Sequence, residues 1–352
     1  MIEDIKLILE KAIRQKASDL HISPGIPPIC RVNGRLIPVN DTVLTSQDTE
    51  IFIKSVLSDK QLDTLYLKGE VDASISCCDS NRFRLNAFRQ KGSYSISLRL
   101  VKPEIPDFNS LGLPPVIIEL SKLTKGLVLI TGPTGTGKST TLAAMIDWIN
   151  TNRDAHILTL EEPIEYVHTH KKSIVNQREI GTDSQNFSSA LKAALRQDPD
   201  VILIGEMRDL ESIGIALTAA ETGHLVLSTL HTIGSAKTID RIIDVFPPYQ
   251  QPQIRTQLSL VLQSVVSQQL IPTVDGNDRV AAVEVMISTP AIRNLIRENK
   301  THQIFNAIQT GSKSGMKTMD NSLIELYRAN RISFDEMMNY AVDHDYIKKM
   351  VT

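Results

Sequence analysis

The amino-acid sequence predicts two folded units in series, a small α+β domain followed by an α/β domain with a largely parallel sheet. Three observations carry this prediction. Short alternating apolar segments between turn residues occupy much of the first hundred positions. Pro103, Pro106, Pro114 and Pro115 then break all periodicity, and from about residue 116 strand-like and helix-like segments take turns. The expected boundaries are 1–102 for the first domain, 103–115 for a linker, 116–270 for the α/β core and 271–352 for a mostly helical C-terminal region, with helical spacing already dominant from Gln251.

In chain order, Met1 to Lys16 places Ile2, Ile5, Leu9, Ala12 and Ile13 on one face, the spacing of an amphipathic helix and not of a signal peptide. Ile29–Val32 and Arg35–Val39 flank Asn33-Gly34, a strong hairpin signal because both residues tolerate positive φ. A helix is expected over 46–58, and strands over 71–76, 82–89 and 95–101, which together suggest an antiparallel sheet. Beyond the linker, strands are expected at 127–131, 156–160, 201–205 and 225–229 with helices between them, the pattern of a parallel sheet whose ligands gather at the strand carboxyl ends.

Composition narrows the function. A net charge of −2 in 352 residues gives no global attraction to nucleic acid or anionic lipid, so no direct nucleic-acid contact is expected. Cys30, Cys77 and Cys78 form no C-x-x-C pair and no disulfide framework, which suits a reducing cytosol. No stretch approaches the roughly 20 apolar residues of a membrane span. A cytoplasmic protein is expected.

The chemistry is concentrated after the first core strand. Gly132-Pro133-Thr134-Gly135-Thr136-Gly137-Lys138-Ser139 fits G-x-x-x-x-G-K-[ST] at every position, followed by Thr140, with a buried-strand pattern before it and a helical pattern after it. Glycines let successive N–H groups and the helix N-terminus converge on phosphate oxygens. Lys138 would neutralise the terminal phosphates of ATP and the Ser139 hydroxyl would ligate Mg²⁺.

Three further segments surround that loop. Glu161, Glu162 and Glu165 crowd the end of the second strand; alone such a cluster is an ordinary solvated turn, but beside a phosphate loop it suggests a cation or a polarised water. Val201-Ile202-Leu203-Ile204-Gly205 ends in Glu206, a buried strand aiming one carboxylate at Mg²⁺ or its water shell. His224 and His231 bracket the fourth strand. Either could simply donate to a backbone carbonyl, while His231 is placed to reach a γ-phosphate.

The order of these four segments resembles the type II/IV secretion ATPases, in which they are the Walker A, Asp box, Walker B and His box. The resemblance covers nearly the whole chain, since Ala17-Ser18-Asp19-Leu20-His21 is similar to the family's N-terminal segment, and Ala291 to Glu298 resembles the signature of its pilus-retraction branch. It implies a PAS-like domain followed by a RecA-like P-loop ATPase domain with a helical C-terminal region. By the same resemblance, Glu165 orients or deprotonates the attacking water, Glu206 is associated with Mg²⁺, and His231 lies near the γ-phosphate. Arg82, Arg84 and Arg99 occupy the N-terminal segment from which the family supplies arginines to nucleotide; the alternative for each is an exposed strand charge.

The resemblance further implies a homohexameric ATPase motor at the cytoplasmic face of the inner membrane, associated with it through a pilus platform protein and driving pilus retraction. Rivals are a pilus-extension or type II secretion ATPase, a nucleic-acid translocase, and a non-hydrolysing ATP-binding regulator. On Ala291–Glu298, Ile292, Leu295 and Ile296 share one face, with Thr289 available as cap and Pro290 as first helical residue. A buried packing helix and a coupling surface fit that pattern equally well.

Overall fold

The computed structural model describes residues 5–32, 34–77, 81–101 and 104–351, with only the backbone of Ser76 and Asn81. Met1, Ile2, Asn33, Cys78 and Pro103, named above, lie outside the described residues. The chain divides into two compact units, Met1–Glu104 and Ile105–Thr352.

The first unit contains α1 (Ile5–Arg14), β1 (Asp19–Ile22), β2 (Ile29–Val32), β3 (Arg35–Pro38), α2 (Ser46–Val56), α3 (Asp59–Lys68), β4 (Glu70–Cys77), β5 (Asn81–Gln90) and β6 (Ser93–Leu100). Among the described residues its strands form one antiparallel sheet in the order β3-β2-β1-β6-β5-β4. Ile8, Leu9 and Ala12 of α1 pack with Leu20, Phe52, Phe83 and Leu98 into a single core. The helix expected over 46–58 is α2, and α3 follows it as a helix outside that expectation; α2 starts at a capping box in which Thr45 and Asp48 bond each other's backbone N–H. α3 ends at Gly69, whose φ of 87° supplies the left-handed turn. Cys30 is a free, buried thiol and Cys77 carries a disulfide bond, which the absence of a C-x-x-C pair does not foretell.

The second unit runs α4 (Val116–Ser121), β7 (Gly126–Thr131), α5 (Lys138–Asn152), β8 (His156–Glu161), β9 (Ile174–Glu179), α6 (Phe187–Ala194), β10 (Val201–Ile204), α7 (Leu210–Glu221), β11 (Leu225–Leu230), α8 (Ser235–Asp244), α9 (Gln251–Val261), β12 (Leu262–Pro272), β13 (Arg279–Ile287), α10 (Pro290–Arg297), α11 (Ile304–Thr310), α12 (Met319–Arg328), α13 (Phe334–Asn339) and α14 (His344–Val351). Its sheet has the order β13-β12-β7-β11-β10-β8-β9, parallel throughout except for β13. Helices cover both faces, so the central strands read as continuous apolar runs. Leu127 and Leu129 join the core beneath α7, α8 and α9, while Val128 and Ile130 face the core containing Leu142, Met145 and Ile149 of α5.

Two departures from the sequence expectation matter. The stretch after Gln251 is not continuously helical: β12 and β13 form an antiparallel hairpin, and β12 extends the parallel sheet by pairing with β7. A core boundary at residue 270 therefore falls inside β12. Gln268, Gln269, Leu270, Ala281 and Ala282 all carry helix-favouring side chains, and strand pairing against β7 overrides that local preference. The strand β9 was also not expected, because Ile174–Glu179 lacks apolar alternation.

The helix carrying the C-terminal signature is α10. Thr289 caps it by accepting from the Ile292 N–H, and Ile292 and Ile296 are fully buried in the core shared with α7 and α9. Leu295 is partly buried, whereas Arg297 and Glu298 are exposed. The helix is thus a packing element with a polar outer face. Ile296→Ala should lower the unfolding free energy by about 2–5 kcal/mol, and Arg297→Ala by less than about 0.5 kcal/mol, as measured by urea unfolding followed by circular dichroism.

Candidate nucleotide site

Strand β7 is buried along its whole length, and the chain leaves the sheet at Thr131 into a glycine-rich loop from which α5 begins at Lys138. At Gly132, with φ 142°, an added β-carbon would stand 2.3 Å from the Gln268 backbone oxygen, so the loop can lie this close to β12 only with glycine. Thr136 Oγ1 donates to the Pro133 carbonyl at 2.9 Å and tightens the turn. The Lys138 ammonium donates to the Gly132 carbonyl at 2.7 Å and the Pro133 carbonyl at 2.9 Å. Burial lowers the pKa of Lys138, while the charges of Glu206 and Glu165 act to raise it. Thr134, Gly135, Gly137, Lys138, Ser139 and Thr140 line a cleft of about 440 Å³; Gly132, Pro133 and Thr136 shape the loop without lining it.

The acidic residues converge on the same cleft. Gly205 permits close approach of the β10 and β8 ends, since a β-carbon there would meet the Leu160 oxygen at 3.3 Å and Glu161 Cα at 3.4 Å. Glu206 then lies with Oε2 2.8 Å from Arg208 Nη2 and Oε1 3.3 Å from His231 Nε2. Burial pushes its carboxyl pKa up, but hydrogen bonds and charges from Arg208 and His231 outweigh that and hold it below the usual glutamate value of 4.5. An ionised Glu206 and the Ser139 hydroxyl are hard oxygen donors lining one cleft. They fit Mg²⁺, which typically takes one or two protein oxygens with phosphate and water completing the shell.

Three neighbouring carboxylates differ from Glu206. Glu161 accepts from Thr159 Oγ1 at 2.7 Å and Gln177 Nε2 at 3.1 Å, yet burial keeps its pKa above the ordinary value. Glu162 and Glu165 are exposed at the cleft, with Glu162 Oε2 3.9 Å from Arg208 Nη1. His224 takes the bland role open to it: its Nδ1 lies 2.9 Å from the Ala219 carbonyl, at the end of β11 away from His231.

Several cleft residues carry no sequence motif. Tyr166 shares a 2.8 Å hydrogen bond with Thr140, and half-buried His168 has its pKa lowered to about 4 by desolvation, which leaves it neutral at physiological pH. Leu270 and Arg279 reach the cleft from β12 and β13, whose strand character was itself missed. Arg208, by contrast, stands two residues after Glu206 in Gly205-Glu206-Met207-Arg208-Asp209, a segment that carries the family resemblance, although the sequence assigned it no role.

All residues lining this cleft belong to the second unit; Arg82, Arg84 and Arg99 belong to the first. Arg84 and Arg99 are register partners on β5 and β6, and Asp19 faces Arg99 from β1, accepting from its Nε at 2.8 Å. Burial raises the Asp19 pKa, but hydrogen bonds from Arg99 and Ser18 and the nearby positive charge bring it below 3.8. Arg99→Ala should therefore cost roughly 0.2–1 kcal/mol at neutral pH, the range for a partly exposed pair. Because the folded pKa is depressed, that contribution is fully present above 3.8 and is lost as pH falls through the lower folded value. Urea midpoints of wild type and variant should differ at neutral pH and converge in acid.

Comparison with known proteins identifies the family. The sequence profile of the type II/IV secretion system protein family matches residues 1–339. The type IV pilus retraction ATPase PilT of Pseudomonas aeruginosa is 50% identical over 330 residues, covering 94% of this chain and 96% of the relative. A twitching motility protein of Neisseria gonorrhoeae is 49% identical over 306 residues, 87% of this chain and 82% of the relative. Among solved structures, the pilus retraction motor PilT with bound ADP superposes with a TM-score of 0.91 at 48% identity, covering 99% of this chain and all of that one. The chain belongs to the type II/IV secretion system protein family, and it matches the pilus-retraction ATPases of that family over nearly its whole length.

Proposed function

We propose that this ATPase hydrolyses Mg·ATP in the cleft and uses the energy to drive type IV pilus retraction, the disassembly of pilin that underlies twitching motility. The observation that carries the site assignment is the convergence of the glycine-rich loop, Lys138, Ser139, Glu165, Glu206 and His231 on one cleft. Loop N–H groups and the α5 N-terminus bind phosphate oxygens, and Lys138 turns from the loop carbonyls to the β and γ phosphates. Ser139 and Glu206 would hold Mg²⁺, which when bound would neutralise charge on the phosphates. Glu165 orients the attacking water and accepts its proton as the bond to the γ-phosphorus forms, and ADP leaves with the β–γ oxygen. His231, 3.3 Å from Glu206, stands near the γ-phosphate.

The retraction assignment is supported by the named activity of the relatives matched over nearly the full chain. In keeping with it we place the chain in a homohexamer at the cytoplasmic face of the inner membrane, joined to the membrane through the pilus platform protein. Among the described residues no helix is long and apolar enough to cross a membrane. Within the ring, Arg84 and Arg99 would answer nucleotide state, the segment around 103–115 would act as the linker that turns, and Arg293 and Arg297 of α10 would meet a partner.

Lys138→Ala should reduce Mg²⁺-dependent ATP hydrolysis to background; undiminished turnover would refute the assignment of the phosphate loop. Glu165→Gln should retain ATP binding and lower kcat by about 100-fold or more. In cells, deletion should abolish twitching while surface pili persist. Loss of pili would point to extension instead, and ATPase stimulation by DNA to a translocase.

A further inference from the structure

We propose that Gln268 of β12 is a positioning residue for ATP, holding the Thr136–Gly137 peptide so that the Gly137 N–H faces the phosphates. The inference rests on the cleft being the ATP site. Gln268 is 3% exposed, and its side chain makes two hydrogen bonds. Its Nε2 donates to the Thr136 carbonyl at 2.7 Å, and its Oε1 accepts from Thr141 Oγ1 at 2.8 Å. Since a carbonyl can only accept, the NH₂ end must face Thr136, which leaves Oε1 for Thr141 and determines the amide orientation.

The consequence follows from peptide geometry. A trans peptide places its C=O and N–H on opposite sides, so tying the Thr136 carbonyl to β12 directs the Gly137 N–H away from Gln268. Gly137 also lines the cleft. With φ 84° and no β-carbon it is the residue beside which this peptide plane turns most easily. A turned plane would present a carbonyl oxygen to the phosphates in place of a donor. Gln268 also meets the other end of the loop, since its backbone oxygen is the atom that excludes a β-carbon at Gly132. It can do both because β12 runs parallel to β7 with Ser267 opposite Thr131, which sets Gln268 level with the loop.

The test uses the full chain with Mg²⁺, a fluorescent ATP analogue, steady-state hydrolysis and thermal unfolding. Gln268→Met keeps length and apolar packing while removing both hydrogen bonds; Thr141→Val removes only the one that anchors Oε1. Gln268→Met should weaken ATP binding about tenfold, seen in KM more than in kcat, in chain that thermal unfolding shows to be folded at the assay temperature. Thr141→Val should weaken it about threefold, and the double variant should bind no more weakly than Gln268→Met, because Thr141 acts through Gln268. Wild-type affinity in Gln268→Met, or fully additive losses, would overturn the inference. If Gln268→Met fails to fold, unchanged ATP affinity in Thr141→Val overturns it. Wild-type chain that binds no ATP would overturn both this inference and the cleft assignment. Binding that is abolished in Lys138→Ala but intact in Gln268→Met would overturn this inference alone.

Discussion

The cleft depends on one constraint, the hydrogen-bond register among the parallel strands β7, β11, β10 and β8. Ile204 pairs with Ser228 on one side and Leu160 on the other, and Leu230 pairs with Thr131. The chain therefore leaves the sheet toward Gly132, Glu161, Gly205 and His231 along one edge. Strands β7, β10 and β11 are buried on both faces, and a one-residue slip would exchange every side chain between the two cores. Apolar packing thus enforces the register, and the register brings polar groups distant in sequence to a common edge.

What gathers there would be unstable without compensation. The cleft is lined by four carboxylates, Glu161, Glu162, Glu165 and Glu206, and by the cations Lys138, Arg208 and Arg279. The carboxylates do not share one electrostatic fate. Glu206 is held ionised by Arg208 and His231, whereas burial drives Glu161 toward its neutral form despite two hydrogen-bond donors. Lys138 responds to the charges of Glu206 and Glu165, and its ammonium donates to the Gly132 and Pro133 carbonyls of the loop. Neutral His168 adds no charge to this balance.

The parts of this arrangement legible in the sequence are local. The glycine-rich loop is continuous, and the strands β7, β8, β10 and β11 announce themselves as short apolar runs ending in Gly, Glu or His. The Asn33-Gly34 hairpin signal likewise foretells β2 and β3, although Asn33 lies outside the described residues. The hairpin β12–β13 was hidden because Ser267-Gln268-Gln269-Leu270 and Ala281-Ala282 favour helix when taken alone, and only the partner strand β7 decides otherwise. Gln268 was hidden for a related reason: its partners Thr136 and Thr141 stand 132 and 127 residues away, and no local spacing encodes such a contact.

That hairpin also links the two ends of the problem. Ser267 Oγ accepts from the Gly234 N–H at 2.9 Å, and Glu284, its register partner on β13, accepts from the Ser235 N–H and hydroxyl, both at 2.7 Å. These contacts secure the segment that follows His231, while the adjacent Gln268 secures the phosphate loop. Two consecutive residues of β12, pointing to opposite faces, thus hold both loops that would sense the γ-phosphate. Strand β13 then passes through Ser288 and the cap Thr289 directly into α10, the helix that bears the retraction-branch signature. Two residues intervene between strand and helix. The chain is thus continuous from the strand that braces these loops to α10, although α10 supplies no group to the cleft.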